Sequence, residues 1–367
     1  MNDASPRVCI VTFGCQMNRL DSEILRGELS RAGFGLAEEP EAADVVLYNT
    51  CSVRDHAEQK VFSHLGSYRR RAETDPEFVL GVIGCMAQRL AEDIVERFPF
   101  VDVVCGTRAF LRVPGYVREV LEGGGPIVDV RENDASARVE FDRAACMRQE
   151  GHSAYVSVMR GCDNFCAYCI VPFVRGREYS RQPADVVEEV RALVGEGVRE
   201  VTLLGQNVNS YGRGLEPPAG LADLLEQTSK VGGIERIRFV TSHPRDMSDE
   251  ILRAVGELDK VCEHLHVPPQ SGSDVVLDRM RRGYTAAEYR DMVQRARQLI
   301  PGVMLAGDFI VGFPGETKDD FQRTLELLQE VRYQQSFIFK YSPRPGTLAA
   351  RWQDDVPEEV KRERNQV

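Results

Sequence analysis

No apolar run in the chain approaches the roughly 20 residues a helix needs to cross a bilayer, so a membrane-spanning helix is excluded as its organising feature. A secretory leader is also missing. MNDASPRVCIVTFGC has no basic start, no apolar h-region and no small-residue cleavage site, so a cytoplasmic location is expected. Positive charge is in deficit, with 46 Lys and Arg against 57 Asp and Glu and a net charge of -11. That balance argues against a generally basic nucleic-acid binder but leaves room for local phosphate contacts. Local basic clusters stand at Arg69 to Arg71, at Arg175, Arg177 and Arg181, at Arg279, Arg281 and Arg282, and at Lys361, Arg362 and Arg364.

What is present is length and cysteine. The 367 residues suffice for about two domains, and ten cysteines in a reducing compartment read as ligands and buried thiols rather than as a disulfide framework. Apolar runs at 7–13, 44–49, 78–84 and 101–107 each begin a unit of strand, loop and helix. Strands alternating with helices predict a parallel sheet, and such sheets gather functional groups at the carboxyl ends of their strands. Cys15, Cys51 and Cys85 fall at three of those ends and could share one edge. Cys105 ends the fourth run and competes with them, whereas Cys9 lies inside its strand as a core thiol. Residues 121–153 are glycine-rich and of mixed charge without a sustained period, which predicts a linker with a short strand or two and a structural Cys146.

A second series of strands follows at 154–159, 200–205, 236–241, 263–267, 303–311 and 336–341, each but the last followed by a helical segment. Thr285 with Glu288 and Thr317 with Asp320 read as capping boxes or close variants. Six such units in about 190 residues predict a partial barrel of parallel strands rather than the eight units of a closed one. Behind its first strand stands Cys162-x3-Cys166-x2-Cys169. Three thiolates in one loop are a metal site that either recruits a fourth ligand from afar, Cys146 or His152 in a zinc knuckle, or keeps one coordination position open for chemistry. Polar or glycine-rich text closes the other strands: Gly205 to Asn209, Ser242 to Pro244, Gln270 to Ser273, Gly312 to Glu316, and Tyr341 to Gly346. Loops of that composition, all at one end and joined by the cysteine loop, predict a cofactor pocket.

The cysteine loop, with Tyr168 just before its last cysteine, resembles the signature of radical S-adenosylmethionine (SAM) enzymes. TFGCQMNRLDSE, NTCSVRDHAEQKVF and GVIGCMAQR resemble the N-terminal domain of the methylthiotransferases within that class. LLGQNVNSYG, TSHPRDMSDE, QSGSDVVLDRMRRGYT, DFIVGFPGET and FKYSPRPGT extend the resemblance over nearly the whole chain, and GCQMN and NTCSVR point to the branch acting on tRNA. The resemblance implies an N-terminal parallel α/β domain (1–122) with an auxiliary 4Fe-4S cluster on Cys15, Cys51 and Cys85. A linker (123–150) would lead to a partial (β/α)6 radical SAM barrel (151–350), with a 4Fe-4S cluster on Cys162, Cys166 and Cys169. Residues 351–367 would begin a helix leading to the family's RNA-binding TRAM domain, which the sequence lacks. It further implies methylthiolation of N6-isopentenyladenosine beside the anticodon of tRNA, with an electron donor such as flavodoxin or ferredoxin. Tyr168, Gln206, Asn207, Gln270 and Ser271 are the expected contacts to SAM, and Arg175, Arg177 and Arg181 the expected basic rim for RNA. Two other outcomes stay open here: a related enzyme acting on threonylcarbamoyladenosine or a ribosomal-protein aspartate, and a non-catalytic metal-bearing RNA-binding module.

Overall fold

The apolar runs that precede Cys15, Cys51 and Cys85 are strands. A computed structural model describes residues 5–52, 55–130, 146–148 and 151–367, and the chain forms two units, Met1–Glu150 with Phe173–Gly176, and Gly151–Pro172 with Arg177–Val367. Among the described residues no helix is long and apolar enough to cross a membrane.

The first unit runs β1 (Arg7–Phe13), α1 (Gln16–Arg31), β2 (Gly35–Leu36), β3 (Val45–Thr50), α2 (Asp55–Ser67), α3 (Arg69–Thr74), β4 (Val79–Ile83), α4 (Cys85–Arg97), β5 (Val103–Cys105), α5 (Val113–Leu121) and β6 (Ile127–Asp129). All pairs in its six-stranded sheet are parallel, in the order β2-β1-β3-β4-β5-β6. Every residue of β3 and β4 is buried, because helices cover both faces of a parallel sheet. The order reverses between β1 and β3, and the crevice beyond the carboxyl ends at such a reversal is where open α/β sheets bind ligands. The two-residue β2 is too short to leave a periodic signal in sequence, and β6 is a short strand within the stretch expected to carry one or two. Most of the expected linker, 131–145 and 149–150, lies outside the described residues.

In the second unit come β7 (Ser153–Ser157), β8 (Met159–Arg160), α6 (Val171–Arg175, whose last residues belong to the first unit), β9 (Tyr179–Ser180), α7 (Pro183–Gly195), β10 (Glu200–Leu204), α8 (Leu221–Ser229), β11 (Arg236–Val240) and α9 (Asp249–Glu257). They are followed by β12 (His264–His266), α10 (Asp274–Arg279), α11 (Ala286–Leu299), β13 (Met304–Val311), α12 (Lys318–Val331), β14 (Gln335–Lys340) and α13 (Glu358–Gln366). Parallel sheets β7-β10-β11 and β12-β13-β14 are joined by a parallel bridge from Ile237 to Val261. Six parallel strands therefore follow chain order in one arc. Among the described residues no pairing closes β14 onto β7, so this is the open partial barrel expected. Alternate side chains such as Val156, Val201, Leu203, Phe239, Leu265 and Phe309 join Val190, Leu224, Leu252 and Leu327 of the helices in one core, each burial contributing roughly 1.5–3 kcal/mol. Both capping boxes form, Thr285 with Glu288 and Thr317 with Asp320. The antiparallel ribbon of β8 and β9 pairs Met159 with Ser180 and Arg160 with Tyr179, closing the base of the cysteine loop.

Candidate functional site

In the first unit the three strand-end cysteines sit at the starts of helices or directly after a strand. Cys15 is the N-cap of α1, Cys51 follows β3, and Cys85 is the first residue of α4. At the start of α1 the Met17 and Asn18 N–H groups help to lower the Cys15 thiol, as a helix N-terminus favours anionic sulfur. The Cys15 thiol is pulled down to about 6, first by its hydrogen bond with Cys51 and then, against burial, by Arg175. Burial pushes the Cys85 thiol up, and Arg175 opposes it. Arg175 is buried in the same unit, where Nε donates to Cys85 Sγ at 3.2 Å and Nη1 to Asp21 Oδ2 at 2.7 Å.

A buried amide pair underlies this set. Asn18 Nδ2 donates to Asn49 Oδ1 at 2.9 Å, while Asn49 Nδ2 donates to Asn18 O and to Ser22 Oγ, both at 2.9 Å. The Cys15 thiol in turn donates to Asn18 Oδ1 at 3.3 Å. Packing around the pair is so close that a Cβ on Gly14 would stand 2.7 Å from Asn18 Oδ1, and one on Gly84, at φ +89°, 2.5 Å from Asn49 Oδ1. Cys105 is drawn into a different environment. It is fully buried at the end of β5 with Asp129 and Arg112 as its charged neighbours, and burial pushes its thiol far up. Cys9 is a core thiol donating to Glu38 O at 3.6 Å.

In the second unit Cys162, Cys166 and Cys169 share the loop after β8, and the Cys169 amide donates to Cys166 O at 3.0 Å. Burial pushes Cys162 up to about 11 and Cys169 up to about 12, and in each the Cys166 sulfur is a further raising charge. Arg282 Nη1 donates to Cys166 Sγ at 3.4 Å. Among the described residues no His, Cys, Asp or Glu group gathers closely enough to hold a single metal ion. Each cysteine set instead has one buried guanidinium donating to a sulfur. Soft thiolates with a nearby N–H donor suit an iron-sulfur cluster, in which every thiolate binds a different iron.

The residues expected to touch SAM fall at the carboxyl ends of the barrel strands, but they differ in what they hold. Tyr168 meets Phe313 edge-on at 6.4 Å, beside the packed rings of Phe313, Tyr341 and Trp352. Gln206 Oε1 accepts the Gly161 amide at 2.6 Å and so clamps the cysteine loop. Asn207 donates Nδ2 to Asp246 at 2.7 Å, and its buried Oδ1 has no hydrogen-bond partner among the described residues. Gln270, at φ +69°, bridges to β13 through its backbone. Ser271 Oγ meets Thr324 Oγ1 at 3.2 Å and accepts the Ser273 amide at 3.2 Å, tying its loop to α12.

Sequence reasoning did not single out Ser242, His243 or Tyr341 beyond their place in strand-end text, yet Ser242 Oγ, His243 Nε2 and Tyr341 OH are buried with no hydrogen-bond partner among the described residues. His243 is held reciprocally by Asn209, its amide donating to Oδ1 and its carbonyl accepting from Nδ2, each at 2.8 Å. Burial, then Arg282, Arg245 and Arg213, push its pKa down to about 2. The ring is neutral, and because Nδ1 accepts from the Arg245 amide, Nε2 carries the hydrogen.

The expected basic rim does not form as a surface. Arg175 is buried on Asp21 and Cys85. Arg181 donates to Ser157 O and to the buried carboxylate of Glu189, both at 2.6 Å. Arg177 alone is exposed, and it pairs with Asp163 at 2.8 Å. Buried carboxylates and sulfurs drew the other two guanidinium groups inward.

Residues 156–328 match the radical SAM superfamily, and residues 7–106 match an uncharacterized protein family, UPF0004. The chain is 47% identical over 357 residues to the tRNA-2-methylthio-N(6)-dimethylallyladenosine synthase of Clostridium botulinum (strain Loch Maree / Type A3), covering 97% of this chain and 79% of that protein. It is 45% identical over 359 residues to the protein of the same name from Caldicellulosiruptor saccharolyticus, covering 97% and 76%. Among solved structures, the radical S-adenosylmethionine methyltransferase TsrM from Kitasatospora setae, with cobalamin and a 4Fe-4S cluster bound, has a TM-score of 0.67 at 15% identity, over 94% of this chain and 74% of that one. The cobalamin-dependent S-adenosylmethionine radical enzyme OxsB has a TM-score of 0.60 at 12% identity, over 98% and 55%. At these identities the likeness is one of fold.

Proposed function

The chain belongs to the family of tRNA-2-methylthio-N(6)-dimethylallyladenosine synthases, and from that premise we propose that it adds a methylthio group to carbon 2 of N6-isopentenyladenosine beside the anticodon of tRNA. The observation that carries this reading is the presence of two separate three-cysteine sets on one chain, one at the strand ends of a parallel sheet and one in a single loop closed by an antiparallel ribbon, each with a buried arginine on a sulfur. Cys162, Cys166 and Cys169 would hold a 4Fe-4S cluster with an iron open to SAM, and Cys15, Cys51 and Cys85 a second, auxiliary one. When bound, these groups supply one-electron cleavage of SAM and the sulfur atom to be transferred.

The chain's own residues bind, orient and exclude water. Gln206 holds the cysteine loop through Gly161, and the rings of Phe313, Tyr341 and Trp352 keep its Tyr168 side dry. Asn207 Oδ1, Ser242 Oγ, the His243 Nε2 hydrogen and Tyr341 OH are buried polar atoms whose missing partners a bound cofactor would supply. With Tyr168, Gln206, Gln270 and Ser271 they make the SAM pocket. In the first unit the Asn18 and Asn49 pair fixes the cysteine edge. The target base must leave its stack to reach the site, so the partner is an anticodon stem-loop. Flavodoxin or ferredoxin would donate the electrons, and the compartment is the cytoplasm.

The test is reconstitution with iron and sulfide, followed by SAM, a reductant and one of three substrates: a stem-loop bearing isopentenyladenosine, one bearing threonylcarbamoyladenosine, or a peptide with the ribosomal aspartate. Mass spectrometry should find the methylthio group on the first. A product on only the second or third would overturn the substrate, and zinc without visible absorption or SAM cleavage would overturn the chemistry.

A further inference from the structure

We propose that Arg282, a buried cation without a carboxylate partner, raises the electron affinity of the group held by Cys162, Cys166 and Cys169, and that Arg175, compensated by Asp21, does so less for the group on Cys15, Cys51 and Cys85. The inference rests on reading both sets as cluster ligands. Arg282 is 5% exposed, and its position is built in detail. Two left-handed residues flank it, Arg281 at φ +56° and Gly283 at φ +68°, turning it inward between α10 and α11. Its Nη1 donates to Cys166 Sγ at 3.4 Å, Nε to Tyr284 OH at 3.1 Å and Nη2 to Pro268 O at 3.1 Å. Tyr284 OH passes its own hydrogen to Pro269 O at 2.7 Å. Two neutral oxygens and a sulfur therefore fix the guanidinium, and among the described residues no carboxylate pairs with it.

Arg175 is the mirror case. It too donates to one sulfur of its set, at 3.2 Å, but its other arm holds Asp21 at 2.7 Å, with side chains 5% and 8% exposed. The carboxylate opposes part of the field that the guanidinium imposes on the sulfurs, Asp21 raising the Cys85 thiol where Arg175 lowers it. A buried guanidinium with no counter-charge is costly, so the anion that Arg282 awaits is the thiolate-held group itself. Such a group gains negative charge on reduction, and net charge together with N–H donors on sulfur sets its potential. Burial keeps that field strong and poorly screened by salt.

The experiment uses the full chain reconstituted with iron and sulfide, its two clusters assigned with a parent in which Cys15, Cys51 and Cys85 are replaced by Ala. Midpoint potentials are read by redox titration followed by electron paramagnetic resonance. Arg282→Gln should shift the potential of the cluster on Cys162, Cys166 and Cys169 to more negative values, and Arg282→Lys should restore most of the shift. Arg175→Gln should move the other cluster by less. An unchanged potential in Arg282→Gln with iron retained overturns the inference, as does an equal or larger shift in Arg175→Gln. Should Arg282→Gln fail to hold iron, the charge-retaining variants Arg282→Lys and Tyr284→Phe decide: potentials near that of the native chain support it, and a negative displacement in either overturns it. A parent that assembles no cluster fails the underlying reading, which iron content reports separately.

Discussion

Replacing Asn49 by Ala tests whether the amide pair, rather than the cysteines themselves, organises the edge of the first unit. Asn49 is 1% exposed and takes part in three side-chain hydrogen bonds, with Asn18 Nδ2, Asn18 O and Ser22 Oγ, all at 2.9 Å. At about 1 kcal/mol net for each bond the loss is roughly 3 kcal/mol, and Asn18 Nδ2, left buried without an acceptor, adds on the order of 1–2 kcal/mol. Because Asn18 also receives the Cys15 thiol, loosening it frees the first cysteine of the set. Chemical denaturation of the metal-free, reduced protein should therefore show a loss of about 3–5 kcal/mol in the first unit. Since about 1.4 kcal/mol is a factor of ten, amide exchange in peptides from β1, α1 and α4 should speed up by about 100-fold or more if it follows that opening. Reconstituted Asn49→Ala should keep the iron held by Cys162, Cys166 and Cys169 and lose that held by Cys15, Cys51 and Cys85. Stability within about 0.5 kcal/mol of the native chain, with exchange unchanged, would refute the reasoning.

Gly84→Ala should destabilise the same unit by about 2 kcal/mol or more, since φ +89° and a contact of 2.5 Å to Asn49 Oδ1 leave a Cβ no room; melting of the metal-free protein reads it, and a neutral result would contradict the packing. Alkylation of the metal-free protein by iodoacetamide, followed by peptide mass spectrometry, should show Cys15 reacting with a midpoint near pH 6, whereas a midpoint above 8 would mean that the hydrogen bond with Cys51 is not made in solution. His243 is held neutral, its pKa lowered from 6.5 to about 2, so unfolding takes up a proton below the unfolded value. The contribution to stability is whole above pH 6.5 and declines as pH falls toward 2, by about 2 kcal/mol between pH 6.5 and 5. Unfolding curves across that range should be flatter in His243→Gln, and an unaltered slope would refute the assignment.

The alternation of strands and helices, the two cysteine sets and the capping boxes were legible in the sequence because each rests on local physics: periodicity, spacing within one loop, and a cap three residues from its partner. Strand β2 and the ribbon of β8 with β9 were not, since two residues carry no period and pairing supplies the rest; β6 falls where a short strand was expected, but its place in the first sheet is set by pairing with β5. Arginine was the residue type most misread. Arg175, Arg181, Arg282 and Arg364 stand in basic runs that look like solvated faces, yet each is turned onto a buried carboxylate, carbonyl or sulfur.

The sequence by itself determined which cysteines could act together, because strand ends in a parallel sheet share an edge wherever the strands lie in the chain. Only the tertiary structure shows that Cys105 has Asp129 and Arg112 as its charged neighbours while Cys15 is bonded to Cys51. It also decided which polar atoms at the barrel mouth remain unpaired among the described residues, Asn207 Oδ1, Ser242 Oγ, His243 Nε2 and Tyr341 OH, and which side chains are bonded within the protein, Gln206 and Ser271. Hydrogen-bond satisfaction is a property of the packed interior as a whole. A donor's partner is chosen by what the fold brings within about 3 Å, and that distance is absent from any linear pattern.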